Sequence, residues 1–218
     1  MKIALIGATG NIGAAVLNEL LQRGHQVTAL VRSAGRLAAH ERLAETTADV
    51  LDSAQVAGAV AGHDAVVSAY NPGWQVPDLY DQYLRGSQAI LAGIKLAGLK
   101  RVLVVGGGGS LYVAPGVQLV DTPEFAAHMP PFVIPGARAA RDLLTALRTE
   151  TTLDWTFLSP PAGPLEGSQR TGQFRIGGEE VLMAGAVPAD ISKADLAVAI
   201  VDEIETPRHV RGRFTVAY

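Results

Sequence analysis

Lys2-Ile3-Ala4-Leu5-Ile6-Gly7-Ala8-Thr9-Gly10-Asn11-Ile12-Gly13 stands at the start of the chain and decides how the rest is read. A short apolar run ending in glycine suits a strand buried on both faces of a parallel sheet. From Ile12 the apolar residues recur at 12, 16, 17, 20 and 21, a helical spacing, and Gly24 stops that helix after Arg23. Gly7 permits a tight turn off the strand, Gly10 lets the backbone approach a pyrophosphate, and Gly13 lets the helix pack close to the sheet. The free N–H groups of the first helical turn, at the positive end of the helix dipole, then face the phosphates. Glycine spacing alone says little in a chain with 24 glycines. Its strand, loop and helix setting makes dinucleotide binding the reading, with Gly7, Thr9, Gly10, Asn11, Ile12 and Gly13 around the pyrophosphate.

The same alternation runs onward. Further strands are expected at 26–31, 45–50, 64–69, 101–105, 154–158 and 213–217. Helices are expected at 53–61 with Ser53 as cap, 79–96, 138–148 and 194–204. Strands alternating with helices imply right-handed crossovers and an α/β, doubly wound, mostly parallel sheet, the Rossmann fold. One domain, 1–218, fits the length. After Pro160 the rhythm breaks into adjacent prolines and several glycines. Residues 160–189 are therefore expected to form a small C-terminal substrate-side lid. Arg170 and Arg175 within it are solvated by default, or meet an anionic substrate.

Composition excludes other classes. Hydrophobic residues make up 48% of the chain, charged residues 18%, and the formal net charge is −3. The 18 basic residues are scattered, which argues against a nucleic-acid partner. There is no cysteine, so disulfides, thiolate nucleophiles and cysteine metal sites are excluded. His25, His40, His63, His128 and His209 lie far apart, and no metal is expected. No stretch resembles a signal peptide or a membrane span, so a cytoplasmic protein without a membrane partner is expected, as monomer or homodimer.

Arg32 bears on the choice of nicotinamide cofactor. The residue ending the second strand normally meets the adenine ribose; an acidic residue there accepts from the 2′-hydroxyl and repels a 2′-phosphate. Arg32, with Ser33 beside it and Arg36 a turn later, offers instead a guanidinium fork matched to phosphate, which favours NADP(H). The bland alternative is a solvated surface arginine. Asp49 and Val50 end the third strand where adenine should lie, though the segment serves equally as a plain strand end. Ala69, Tyr70 and Asn71 should pass beneath the nicotinamide ribose. Gly106 and Gly107 open a run of four glycines after the fifth strand. Such a run costs unfolded-state entropy, so close backbone approach to the nicotinamide is the more attractive reading. Trp74 is expected to pack, with stacking on a planar substrate as the alternative.

With these motifs in hand, the chain resembles the atypical short-chain dehydrogenases/reductases. Within them it is most similar to the group holding NAD(P)H-flavin reductases and biliverdin-IXβ reductases, with NmrA-like proteins as more distant relatives. The resemblance rests on GATGNIG (7–13), DVLD (49–52), AGHDAVVSAY (61–70), GGGGSL (106–111), DWTFLSPPAGP (154–164), RTGQFRIGG (170–178) and ISKADLA (191–197). It implies that Arg32 holds the 2′-phosphate, Asp49 and Val50 the adenine, and that Pro160 and Pro161 border the nicotinamide. It also implies Ser110 or Tyr112 on the substrate side as catalytic candidates. The departure is at 106–109, where biliverdin-IXβ reductases carry a Thr-Ser pair whose serine would fall near Gly107. Ser110 is thus an uncertain equivalent, and a loop or capping role is an equal alternative.

Many relatives use a Tyr-x-x-x-Lys pair, in which lysine lowers the tyrosine pKa for proton transfer. The residues four after Tyr70, Tyr80, Tyr83 and Tyr112 are Trp74, Leu84, Ser87 and Gly116, and Tyr218 is terminal. Without that pair, reduction of a simple ketone lacks its proton donor. Hydride delivery to a flavin, quinone or bilin spreads the charge over a conjugated system, and solvent can supply the proton. The expectation is an NADPH-dependent reductase of a planar conjugated acceptor. An NADP-binding sensor without turnover is the alternative; a sugar-nucleotide epimerase suffers from the missing pair.

Overall fold

The opening apolar run forms β1 (Lys2–Ile6) of the computed structural model, which describes residues 1–218. It is followed by α1 (Asn11–Gln22), β2 (Gln26–Val31), β3 (Leu43–Thr47), α2 (Ser53–Val60), β4 (Ala65–Ser68), α3 (Leu79–Leu96) and β5 (Arg101–Val105). The chain then makes a hairpin of β6 (Tyr112–Ala114) and β7 (Val117–Gln118), α4 (Pro123–His128), α5 (Ile134–Leu147) and β8 (Asp154–Ser159). It closes with β9 (Arg175–Gly177), a hairpin of β10 (Met183–Ala184) and β11 (Val187–Pro188), α6 (Lys193–Glu205) and β12 (Gly212–Ala217).

Eight strands form one sheet in the order β3-β2-β1-β4-β5-β8-β12-β9. Every pairing is parallel except β9, which runs antiparallel on β12. The central strands are apolar almost throughout because both faces are covered. α1 and α6 bury one face against Ile3, Leu5, Leu103 and Phe214. α2, α3 and α5 bury the other against Ala4, Val66, Val102 and Phe157. The strand order reverses direction between β1 and β4, so a crevice opens at the C-terminal ends of those two strands. The α/β, doubly wound, mostly parallel architecture read from the sequence is the one observed.

Several boundaries differ from the expected ones, for physical reasons. β3 spans 43–47, not 45–50, because it takes its register from β2, pairing Val27 with Leu43 through Val31 with Thr47. Where β2 ends, Asp49 turns the chain by accepting from the Leu51 N–H at 2.9 Å. The cap of α2 is Asp52 rather than Ser53, its carboxylate accepting from Ala54 and Gln55 N–H. α5 begins four residues before 138, since Pro135 in its first turn needs no N–H partner there. The segment expected to be irregular contains β9. The two hairpins and α4 have no periodicity long enough to be read in advance.

Candidate functional site

The glycine loop folds as its spacing requires. Gly7 has φ +84°, and a Cβ on it would lie 2.4 Å from Ala69 O; a Cβ on Gly13 would lie 2.0 Å from Gly7 O. Both contacts are with backbone, so neither position admits a side chain without moving the loop. The Gly10 N–H donates to Gly7 O at 2.9 Å and closes the turn. Gly10 also caps α1 without a side chain, and the first turn of α1 has no acidic residue. Its leading N–H groups are thereby left for an anion. Thr9 and Asn11 are exposed beside them, while Ile12 is half-buried against the α1–α6 core.

Arg32 and Arg36 are exposed beyond the end of β2, and Asp49 and Val50 follow β3 on the same edge. Tyr70 ties this group together. Burial raises its phenol above the ordinary value; the nearby Arg32 and Arg85 work against that rise and Asp49 adds to it. The hydroxyl donates to Gln82 O at 3.2 Å, and a Cβ on Gly86 would collide with the ring, so α3 holds Tyr70 in place. Ala69 closes over Gly7. Asn71 accepts from the Gly73 N–H at 2.8 Å, a side-chain turn that presents Trp74, 48% exposed, against Gly136 at the start of α5.

The four-glycine run after β5 is close-packed, so the absence of side chains has a structural role of its own. A Cβ on Gly106 would enter the Phe157 ring, and one on Gly108 would lie 2.8 Å from both Pro160 O and Pro161 O. One on Gly109 would crowd Val120, and one on Gly107 would meet Ala140 at 3.3 Å. Gly106, Gly107 and Gly108 remain partly exposed. Pro160 itself is buried beneath Gly108.

Ser110 sits inside the loop that follows these glycines. It is fully buried, donating to Gly107 O at 2.8 Å and sharing a 2.9 Å hydrogen bond with Ser159 Oγ. Its hydroxyl has Gly107 O, Ser159 Oγ and the Arg213 guanidinium as partners within the protein. Ser110 O accepts from Arg213 at 2.8 Å, and the Arg213 guanidinium sits 5.6 Å from the centre of the half-buried Tyr112 ring. Arg213 also binds the carbonyl and carboxylate of Glu179. Burial opposes ionisation of Glu179, but Arg213 and Arg148 outweigh it and hold its carboxyl below the usual range. Tyr112 and Glu179 border an open groove of about 630 Å³ between the two hairpins, shared with Leu119, Ala162, Val181 and Met183.

Much of the late segment is strapped down rather than free. Arg170 grips the buried Glu19 carboxylate of α1 through two hydrogen bonds of 2.7 Å, and this hydrogen bonding lowers the Glu19 pKa. Arg175 is bound to the Tyr218 and Met183 carbonyls. Neither arginine faces the groove as an anion receptor. Asp195, fully buried, accepts from the Thr171 hydroxyl at 2.6 Å, the Gly172 N–H at 2.8 Å and the Tyr218 hydroxyl at 2.7 Å. Burial works against its ionisation, and these bonds prevail, so its pKa lies below the ordinary value. Residues 179–188 and 160–164 are what remain beside the groove.

The family described as NAD(P)H-binding matches residues 7–207. The Bacillus subtilis protein YwnB is 37% identical over 218 residues, aligning 99% of this chain and 98% of its own. A Bacteroides thetaiotaomicron crystal structure named "putative epimerase" superposes with a TM-score of 0.90 at 39% identity, over 100% of this chain and 96% of the other. A Streptococcus pneumoniae structure named "putative NADH-flavin reductase" does so with a TM-score of 0.82 at 34% identity, over 100% and 99%. The chain belongs to the NAD(P)H-binding family, and within it to the atypical short-chain dehydrogenase/reductase oxidoreductases that its sequence resembles. No helix is long and apolar enough to cross a membrane.

Residues outside the sequence reading also gather here. Arg85 joins Arg32 around Tyr70, Lys193 reaches Asn11 at 3.0 Å, and Arg213 braces the groove. No sequence signal marks Arg85 or Arg213. Lys193 lies within the ISKADLA motif at the start of α6.

Proposed function

We propose that this chain is a reductase that carries hydride from NADPH to a planar conjugated acceptor such as a flavin, quinone or bilin. The observation that carries the reading is the absence of a phenol–ammonium pair at the crevice. Tyr70 is tied to Gln82 O with a raised pKa. Tyr80 donates to Asp142 at 2.7 Å, and that bond raises its pKa too. The lysines are Lys2, Lys95, Lys100 and Lys193, none of them on α5. A site so equipped suits an acceptor that needs no positioned proton donor, because the transferred charge is delocalised.

The roles divide along the crevice. The Gly7–Gly13 loop takes the pyrophosphate, with Thr9, Asn11 and Ile12 at its sides. Arg32, with Arg36, takes the 2′-phosphate and selects NADPH, while Asp49, Val50 and Tyr70 frame the adenine end. Ala69, Asn71, Gly106, Gly107 and Pro160 shape the nicotinamide end. The nicotinamide supplies hydride when bound; the protein's part is to hold the acceptor ring against it and exclude water. Exposed Trp74 offers a stacking face, and Tyr112 the wall of the groove. Ser110 acts through the loop it pins. The flavin-reductase name of the pneumococcal neighbour supports this choice of acceptor.

The test is titration of NADPH and NADH, then oxidation of NADPH with FMN, a quinone and a bilin. Tighter NADPH binding with turnover of a planar acceptor is expected. Arg32→Asp should weaken NADPH at least about tenfold, since a charge-assisted phosphate contact is lost, while NADH binding is retained. Turnover of a simple ketone with failure of all three planar acceptors would sink the proposal. Tight binding without any turnover would move it to an NADP-binding sensor.

A further inference from the structure

The fold accounts for nearly every polar and large apolar side chain of the late motif Ile191–Ala197. Ile191 is fully buried and bridges to Leu165. Ser192 caps α6 by accepting from the Asp195 N–H and donates to Gln169 O. Asp195 holds Thr171, Gly172 and Tyr218, and Leu196 and Ala197 enter the core beneath the sheet. Lys193 does none of this. Its Nζ donates to Asn11 Oδ1 at 3.0 Å, in the first turn of α1, and it forms no ion pair, whereas Lys95 is bound to Glu150.

We propose that Lys193 is a cofactor-binding residue, its ammonium group the counter-charge to the pyrophosphate on the Gly7–Gly13 loop. This rests on the reading of that loop as the nucleotide site. A pyrophosphate brings two negative charges, whereas the helix terminus supplies only about half a positive one. The first turn of α1 contributes neutral N–H donors and no side-chain cap. Lys193 adds a full charge at the same place. Its present partner is a neutral amide oxygen, which an anionic phosphate oxygen outcompetes for the ammonium.

The position of Lys193 is set by the scaffold rather than by the lysine itself. α6 lies along α1 over a shared core, and Arg23, the C-cap of α1, binds both Asp202 and Glu205 of α6 at 2.7 Å. Ser192 fixes where α6 begins. Lys193 therefore reaches the loop from a second rigid helix. It differs in kind from Arg32, which faces the group that distinguishes the two nicotinamide cofactors: Lys193 faces the group that both share.

That difference makes the test. NADPH, NADH and 2′-AMP, which lacks the pyrophosphate, are titrated into the full-length protein and into Lys193→Met, Lys193→Glu and Lys193→Arg at low and moderate salt. Lys193→Met is expected to weaken both dinucleotides alike, by about five- to tenfold, through loss of one charge-assisted contact, and to flatten the salt dependence. Lys193→Glu should weaken them further, Lys193→Arg should retain most of the affinity, and 2′-AMP should bind every variant equally. Unchanged dinucleotide affinity in Lys193→Met, or an equal loss for 2′-AMP, overturns the inference and leaves the nucleotide site standing. Failure of the unmodified protein to bind either dinucleotide overturns both.

Discussion

The two sides of the sheet are held together by different means. From β3 to β5 the strands run parallel in one continuous sheet, buried on both faces by helices. The loops at their C-terminal ends are shaped by backbone contacts, above all Gly7 against Ala69 and Gly13 against Gly7. From β8 to β9 the edge of the sheet carries short hairpins and an extended strap, fastened by side chains reaching across the molecule. Arg213 binds Ser110 O, Arg170 binds Glu19, and Asp195 binds Thr171 and Gly172. The first side suits a cofactor whose phosphates never vary. The second concentrates its dependence in a few charged contacts, one of which, Arg170 to Glu19, reaches back to α1.

The sharpest way to break this contrast is at Gly13. Gly13→Ala places a methyl group against Gly7 O and should cost about 3 kcal/mol, with NADPH binding lost even where the protein still folds. A melting curve and a nucleotide titration measure both. An alanine tolerated with full binding would show that the loop is more pliable than its contacts allow.

The matching cut on the other side is Arg213→Met. It strands two carbonyl acceptors and the Glu179 carboxylate, but Glu179 is partly exposed and regains water, so a loss of about 2 kcal/mol is expected. Acceptor turnover should fall while NADPH affinity holds. A loss of NADPH affinity comparable to that of Gly13→Ala would mean the two sides are not separable.

Acid should open the second side before the first. Glu19 and Asp195 both have folded pKa values below their ordinary ones. Their contribution is therefore complete above the unfolded carboxyl range, about pH 4, and is lost as pH falls through the lower folded values. Limited proteolysis between Glu166 and Gly172 should accelerate below about pH 4, with the β1–β5 half still protected. Uniform cleavage along the chain, or none, would count against a separately fastened strap.

The legibility of the chain follows the same division. β1, β2, α3 and β5 have the boundaries that apolar patterning implies, because a buried parallel strand or an amphipathic helix is announced by residues next to one another. The glycine loop is legible for the same reason. Ser110 was not: whether its hydroxyl faces an acceptor or a buried serine depends on Ser159 and Arg213, 49 and 103 positions away. Arg170 and Glu19 lie 151 positions apart, so nothing local distinguishes a strap from a solvated arginine.

Local pattern by itself determined the doubly wound sheet, the glycine loop between β1 and α1, the missing tyrosine–lysine pair and the cation at the end of β2, since each is a matter of neighbouring residue types. Only the tertiary structure decided that the glycines after β5 pack against Phe157 and Pro160, that Arg170 is a strap, and that Lys193 stands beside the glycine loop. Those outcomes depend on which distant side chains the fold brings within a few ångströms, and hydrogen bonds and steric exclusion act only at that range.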